Sequence, residues 1–478
     1  MPTAPLVVEL ESPPDPAATV ERFLGQPHLI FLDSATGPAH LGRYSWLSAD
    51  PAAVIRAKGD GASGLPLDEL RAFLQQHHAS PVEGLPPFQG GAAGWFAYDL
   101  GESLERIPPP SFDDLALPDV LLGLYDWTIA WDHQQQRAWI ISTGIPETGA
   151  AKATRATERL AWIQRLLAGP SRSSRPSRFN AIPNHRPPSY PVTGSDLTTE
   201  IGLKSSFTHR GYLDAVTRVR EYILSGDIFQ ANLTQRLDAP LEEDPWQLYR
   251  RMREVNPAPF AAFVESDGVA VISASPERFL ALAPDGAVET RPIKGTRPRG
   301  QSPRHDAELA RELLESEKDR AENLMIVDLL RNDLSRVCIP GTVRVPELFA
   351  LEQFRTVHHL VSTVTGQLEA GRDAVDLLRA TFPGGSITGA PKIRAMEIIA
   401  ELEPSRRGVY CGAIGYLSVT GAMDTSIAIR TVVALGGRAY FSVGGGIVVD
   451  SDPEQEYQET LHKARGIITT LAGAVMTP

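Results

Sequence analysis

The sequence predicts an α+β fold, from three features: short apolar runs of strand character, amphipathic stretches with helical spacing, and no regular strand–helix–strand repeat. No dinucleotide fingerprint or Walker phosphate loop opens a helix after a strand. The 478 residues suffice for one large or two medium cores.

In chain order, Leu29–Leu32, Ala53–Ala57 and Ala138–Ile141 have strand-like apolar content. Alanine and leucine at helical spacing predict an amphipathic helix over 151–167. Residues 169–195 turn rich in Ser, Pro and Arg and read as a surface crossover. They divide an N-terminal subdomain, 1–168, from a larger C-terminal one, 196–478. Tyr212–Leu224 reads as a helix stopped by Gly226. Glu308–Leu330 reads as predominantly helical, with length enough to conceal a bend. Thr425–Val433 and Ala439–Val443 read as strands beside a glycine-rich turn. Asp452, Pro453 and Gln455 occupy the N-cap, N1 and N3 positions of a last long helix.

A formal charge of −12 argues against an extended nucleic-acid surface. Two cysteines, Cys338 and Cys411, make a poor disulfide framework and no zinc site, and suit a reducing compartment. There is no secretory start, and no apolar run approaches the roughly 18 residues of a membrane span. The expectation is a soluble cytoplasmic protein.

Several residues bear on chemistry. Glu456 and Glu459 are three apart on the last helix and Lys463 lies four beyond Glu459, so the three share a face. Taken alone, that face reads first as a surface charge cluster, with two carboxylates for a hard cation such as Mg2+ beside an ammonium for an anion as the lesser reading. Glu322 reads alone as a partly exposed helical charge. Gly444, Gly445 and Gly446 fit a tight turn or a backbone cradle for a carboxylate. The run Phe382 to Lys392 fits an elaborate helix entry or a ligand loop. Lys294 reads as a solvent-facing charge, unless a dry pocket strips its proton and makes it a nucleophile.

Taken in order, these segments carry a resemblance. The runs Ile228–Leu233, Ser275–Phe279, Pro292–Thr296, Asp328–Asp333, His358–Ser362, Phe382–Lys392, Ser442–Gly446 and Glu456–Thr460 resemble the chorismate-utilising enzymes, the family of the aminodeoxychorismate synthase and anthranilate synthase large subunits. Leu32–Ala35, Leu41–Ser45 and Gly94–Tyr98 extend the likeness more loosely. The resemblance implies one intertwined unit of internally packed antiparallel sheets surrounded by helices. It implies Mg2+ at Glu322 and Glu459, with Glu456 a direct or water-mediated ligand. Arg430 and Lys463 are expected on the substrate carboxylates. Thr296, Ser386, Tyr410 and the backbone at Gly444 and Gly446 would complete the pocket. His359 is expected near the reacting ring, and Glu277 matches the position of an acid in relatives that add water. Ser34 matches a region that forms an amino-acid pocket in relatives, where some retain tryptophan.

Lys294 separates the close branches. Anthranilate synthases usually present alanine at its motif position, aminodeoxychorismate synthases lysine. Gln230 stands where relatives that add water carry a basic lysine. The resemblance therefore implies amination of chorismate to 4-amino-4-deoxychorismate through a covalent Lys294 adduct, on the way to 4-aminobenzoate and folate. No segment supplies the later lyase chemistry. Neither cysteine lies in a nucleophile motif, so the ammonia is expected from a separate glutamine amidotransferase subunit.

Overall fold

The computed structural model describes residues 4–34, 41–59, 65–171, 187–192, 196–355 and 357–473. Most of the expected crossover 169–195 lies outside the described residues. Within them, two antiparallel sheets of 13 and 10 strands form the centre of the molecule. The larger runs from Leu6–Glu9 through Tyr44–Ser48, Leu29–Asp33, Phe260–Ser266, Val269–Ser275, Thr431–Leu435 and Arg438–Ile447 to Gln230–Pro240 and its edge. The smaller runs from Ile293–Pro298 and Val357–Gln367 through Met423–Ile427, Ala413–Ser418 and Gly91–Phe96 to Ala53–Ala57. Each sheet takes strands from residues 1–168 and from residues 196–478.

Alternation along the strands explains the layering. Ile30, Trp46, Val264, Val271 and Val433 of the larger sheet pack against Ala93, Trp95, Leu121, Ile414 and Tyr416 of the smaller. The larger sheet's other face buries Phe31, Phe263 and Phe441 with Trp246, Tyr249 and Ile467 of two helices. The smaller sheet's outer face packs Phe96 and Val364 with Ile326, Leu330 and Leu377 of others. Helix, sheet, sheet and helix succeed one another, as expected of an α+β fold with internal sheets. Cys338 and Cys411 are both buried and free. Among the described residues no helix is long and apolar enough to cross a membrane.

The expected strands Leu29–Leu32, Ala53–Ala57, Ala138–Ile141 and Ala439–Val443 are present, the last within Arg438–Ile447. The helix over 151–167 spans Gly149–Ala168. Tyr212–Leu224 begins earlier, at His209, because the Thr208 hydroxyl accepts from the Gly211 N–H. Glu308–Leu330 is helical with a break where its length allowed a bend, between Pro303–Glu315 and Glu317–Ser335. Ser316 ends the first and caps the second by accepting from the Asp319 N–H. One expectation needs correction: Thr425–Val433 is two strands, Met423–Ile427 in the smaller sheet and Thr431–Leu435 in the larger. The chain passes between sheets at residues 428–430, with Arg430 at a φ of 52°.

Candidate active site

That crossover opens one wall of a cavity of about 680 Å3, within the range of small-molecule sites. It is lined by Glu277, Lys294, Thr296, Glu322, His359 and Ser386, and by Tyr410, Arg430, Gly444, Gly446, Glu456, Glu459 and Lys463. Every candidate catalytic, substrate-binding and metal residue expected from the sequence therefore meets in one place, although the set is drawn from several helices and strands and their connections.

Lys294 reaches the cavity through an irregular strand. In Ile293–Pro298 the register slips between Ile293 and Thr296, where Gly295 has a φ of 90°. A Cβ on Gly295 would come within 2.9 Å of Leu313 and 3.0 Å of Asp319, so the strand and the two helices beneath it close on a glycine. Lys294 Nζ donates to the Ser386 carbonyl at 3.0 Å. Burial pushes its pKa below the usual lysine range, with Glu322 and Glu277 pulling the other way. The solvent-facing reading of Lys294 is thereby excluded.

Glu277 is buried, and its Oε1 accepts from the Ser386 hydroxyl at 2.6 Å. Burial pushes its pKa up to about 7, against the Ser386 hydrogen bond and the nearby Lys294. His359 pairs with Thr296 in register, and its Nδ1 lies 2.9 Å from Thr296 Oγ1. Burial, then Arg430, pushes it down to about 3, so the imidazole is neutral at ordinary pH. Burial also raises the Tyr410 hydroxyl and lowers Arg430, which has no ion pair among the described residues. An unpaired guanidinium in such a site suits an incoming anion.

The last helix supplies the opposite wall. It runs Pro453–Leu471, and Asp452 caps it by accepting from the Gln455 N–H at 3.0 Å. Lys463 Nζ bridges Glu459 Oε1 at 2.6 Å and the Gly444 carbonyl at 2.9 Å. The Ser451 hydroxyl holds Glu456 Oε1 at 2.6 Å. A Cβ on Gly445 would lie 3.3 Å from Glu456 Oε2 and 3.5 Å from both Glu459 Oε1 and Lys463 Nζ. The glycine run thus lets two carboxylates and an ammonium converge on bare backbone.

A hard cation fits this donor set. Burial raises Glu322 and Glu456, which marks carboxylates short of positive charge, and Glu322 makes no direct hydrogen bond or ion pair among the described residues. Burial also acts on Glu459, but Lys463 outweighs it and holds the pKa low. No three acidic, His or Cys side chains among the described residues are already gathered tightly enough to chelate a metal on their own. Glutamates with space between them and a substrate carboxylate suit Mg2+, which keeps only one or two protein carboxylates beside substrate and water ligands.

The cavity also includes residues that the sequence did not single out: Asn232, Arg297, Lys318, Asp319, His462 and Arg465. His462 and Arg465 flank Lys463 on the same helix, so helical spacing offered a signal for them. Asn232 and Arg297 are placed by long-range pairing, which spacing does not reveal. Ser34 lies elsewhere. It lines a second cavity of about 980 Å3 with Tyr44, Trp46, Phe260, Arg278 and Asp424. Its hydroxyl donates to the carbonyls of Tyr44, at 2.7 Å, and Pro259, at 3.1 Å. Ala35 of that motif lies outside the described residues.

Buried carboxylates, a depressed lysine and anion-receptive cations between two sheets define an enzyme for a small polyanionic metabolite. The chain belongs to the chorismate binding enzyme family, whose profile matches residues 28–469. It is 44% identical to aminodeoxychorismate synthase component 1 of Salmonella typhimurium, over 98% of each chain. It is 43% identical to anthranilate synthase component 1 of Thermus thermophilus, over 84% of this chain and 82% of that one. The crystal structure of anthranilate synthase component I from Streptococcus pneumoniae superposes with a TM-score of 0.75 at 34% identity, covering 89% of this chain and 92% of that one.

Proposed function

We propose that this chain is the chorismate-aminating component of an aminodeoxychorismate synthase, joining chorismate and ammonia into 4-amino-4-deoxychorismate and water. The observation that carries the reading is Lys294, a lysine with lowered basicity, hydrogen-bonded to the same serine as a buried carboxylic acid. Family relatives of both amination types match this chain closely, so the lysine decides between them.

The chemistry follows from what each group can do. Arg430 and Lys463 offer positive charge to the two substrate carboxylates, and the backbone at Gly444 and Gly446 admits the ring closely. Neutral Lys294 attacks C2 of chorismate. Both ring double bonds shift along C1, C6 and C5 and the C4–O bond breaks, and the departing hydroxyl takes the Glu277 proton and leaves as water. Ammonia then attacks C4, both double bonds shift back, and the C2–N bond to Lys294 breaks. The proton that the new amine sheds balances the one Glu277 gave. His359, neutral and hydrogen-bonded to Thr296, lies against the ring as a fixed polar wall. Glu322 and Glu459, with Glu456 direct or through water, would hold Mg2+, which would supply positive charge beside a substrate carboxylate.

The nitrogen would come from glutamine through a separate amidotransferase subunit, in the cytoplasm. The names of the relatives as numbered components support a partner, and the two buried cysteines of this chain offer no nucleophile for glutamine. The cavity at Ser34 is proposed as an amino-acid site that takes tryptophan. Incubating the purified chain with chorismate, MgCl2 and ammonium chloride tests the central reading by product chromatography. Aminodeoxychorismate is expected. Anthranilate as the sole product would move the chain to the other amination branch, and no turnover by a folded chain would remove the enzyme reading.

A further inference from the structure

Behind the cavity wall lies a buried ion pair that the chemistry above does not use. Arg407 and Glu403 are 7% and 5% exposed, and neither lines the cavity. Four of the five guanidinium N–H groups are committed. Arg407 Nε donates to Glu403 Oε2 at 2.9 Å, and Nη2 donates to Glu403 Oε1 at 2.7 Å. Nη1 donates to the Ile387 carbonyl at 3.0 Å, and Nη2 also donates to the Asn232 carbonyl at 2.5 Å. Glu403 Oε1 in turn accepts from the Thr234 N–H and the Thr234 hydroxyl, each at 2.9 Å. The Tyr98 ring covers the pair, its centroid 4.5 Å from the guanidinium carbon.

Those bonds end on the two pieces of backbone that carry the site. Ile387 follows Ser386 in the single turn Gly385–Ile387, and Ser386 accepts from Lys294 and donates to Glu277. Asn232 lies on strand Gln230–Pro240 opposite Gly446, and both line the cavity. One planar guanidinium therefore ties the turn to the strand. The turn has weak bonds of its own. The Ile387 N–H reaches the Gly384 carbonyl, and the Thr388 N–H the Gly385 carbonyl, only at 3.4 Å. An apolar pair of similar volume would stabilise the interior about as well as this ion pair. It would not aim donors at two fixed carbonyls.

We propose that Arg407 is a positioning residue for the amination, fixing the Ser386 turn against strand Gln230–Pro240 and so setting where Lys294 and Glu277 meet the substrate. The proposal rests on the amination reading above and adds a residue outside the cavity that acts through Ser386. Arg407→Met alone leaves the Glu403 carboxylate buried without its partner, a strongly destabilising change. The test therefore uses the full chain with Arg407→Met and Glu403→Gln together, which removes both charges at similar volume. Ammonium-driven turnover reads the chemistry. The double variant is expected to lose at least about tenfold in kcat, with KM for chorismate within about threefold, because Arg430 and Lys463 remain to meet the carboxylates. Arg407→Lys, which keeps the charge without the planar fork, is expected to lose less than the double variant and still fall below the parent. Hydrogen exchange read by mass spectrometry reports the anchoring without turnover. Amides of residues 382–392 are expected to exchange at least about tenfold faster in the double variant, while strand Trp127–Asp132, at the far side of the larger sheet, is unchanged. A folded double variant with the parent's kcat, or with the parent's exchange over 382–392, overturns the proposal. So does a loss of kcat/KM carried wholly by KM. A parent chain that makes no aminodeoxychorismate would instead strike the functional reading, and the exchange comparison would still decide whether Arg407 holds the turn.

Discussion

Lys294 and Glu277 are joined through one residue, Ser386, whose carbonyl accepts from Lys294 Nζ at 3.0 Å and whose hydroxyl donates to Glu277 Oε1 at 2.6 Å. The proposed nucleophile and the proposed acid are therefore held to a common point, inside the single turn of 3-10 helix Gly385–Ile387. Burial opposes charge on both, lowering the Lys294 ammonium from its usual range and pushing Glu277 up to about 7, so each is shifted toward its uncharged form. Those are the two forms that displacement of a hydroxyl by an amine requires.

Replacing Lys294 with alanine is expected to remove the adduct and lower aminodeoxychorismate formation by at least about a hundredfold. Intact-protein mass spectrometry with chorismate and no ammonia, followed by peptide mapping, should find the parent protein modified at Lys294 and the variant unmodified. Undiminished product from the variant would discard the covalent route.

The pH profile carries a sign. Glu277 is protonated below about 7 and acts as an acid only in that form, so kcat should fall as pH rises through this value. Glu277→Gln should be slow and lack that limb. The Ser386 hydrogen bond favours the carboxylate, so Ser386→Ala should move the limb to higher pH. A limb unmoved in both variants would assign it to another group.

Glu322→Ala and Glu459→Ala should each weaken Mg2+ binding by at least about tenfold, because a hard cation loses a carboxylate. Calorimetric titration with MgCl2, and the Mg2+-dependent rise in Tm, read this without turnover. Equal Mg2+ affinity in the parent and both folded variants would remove these residues from the cation site.

Gly444→Ala probes the cradle. A Cβ there would meet the Leu233 carbonyl at 2.3 Å and Thr234 Cγ2 at 2.5 Å, across a paired strand that has no room to part. Overpacking of this kind costs about 1–3 kcal/mol, to be read from denaturant unfolding. An unchanged midpoint would mean that the strands yield more easily than their register indicates.

At the second cavity, L-tryptophan should release or absorb heat with the parent protein in calorimetric titration, and Ser34→Leu should reduce the effect. That substitution removes hydrogen bonds to two carbonyls and puts an isobutyl group on the cavity wall. Ammonium-driven turnover should persist in the variant. A parent protein that shows no heat with tryptophan would leave the cavity without this ligand.

Features set by neighbours along the chain are legible in the residues alone. The last helix begins where Asp452, Pro453 and Gln455 place it, and Glu456, Glu459 and Lys463 share its face because the helical repeat puts them there. The helical run Glu308–Leu330 breaks at Ser316, whose hydroxyl accepts from the backbone and starts a new helix within an otherwise helical composition. Thr425–Val433 misleads because strand propensity does not show which sheet a residue joins, and the chain changes sheets at Arg430. Residue order thus specifies the α+β class, the caps, the helical faces and, through ordered motifs, the family. Three-dimensional packing alone makes Lys294 a half-buried amine in the cavity wall rather than a solvent-facing charge, pushes Glu277 up to about 7, and joins the two through Ser386. Ionisation depends on burial and on partners far along the chain, and local spacing carries no record of either.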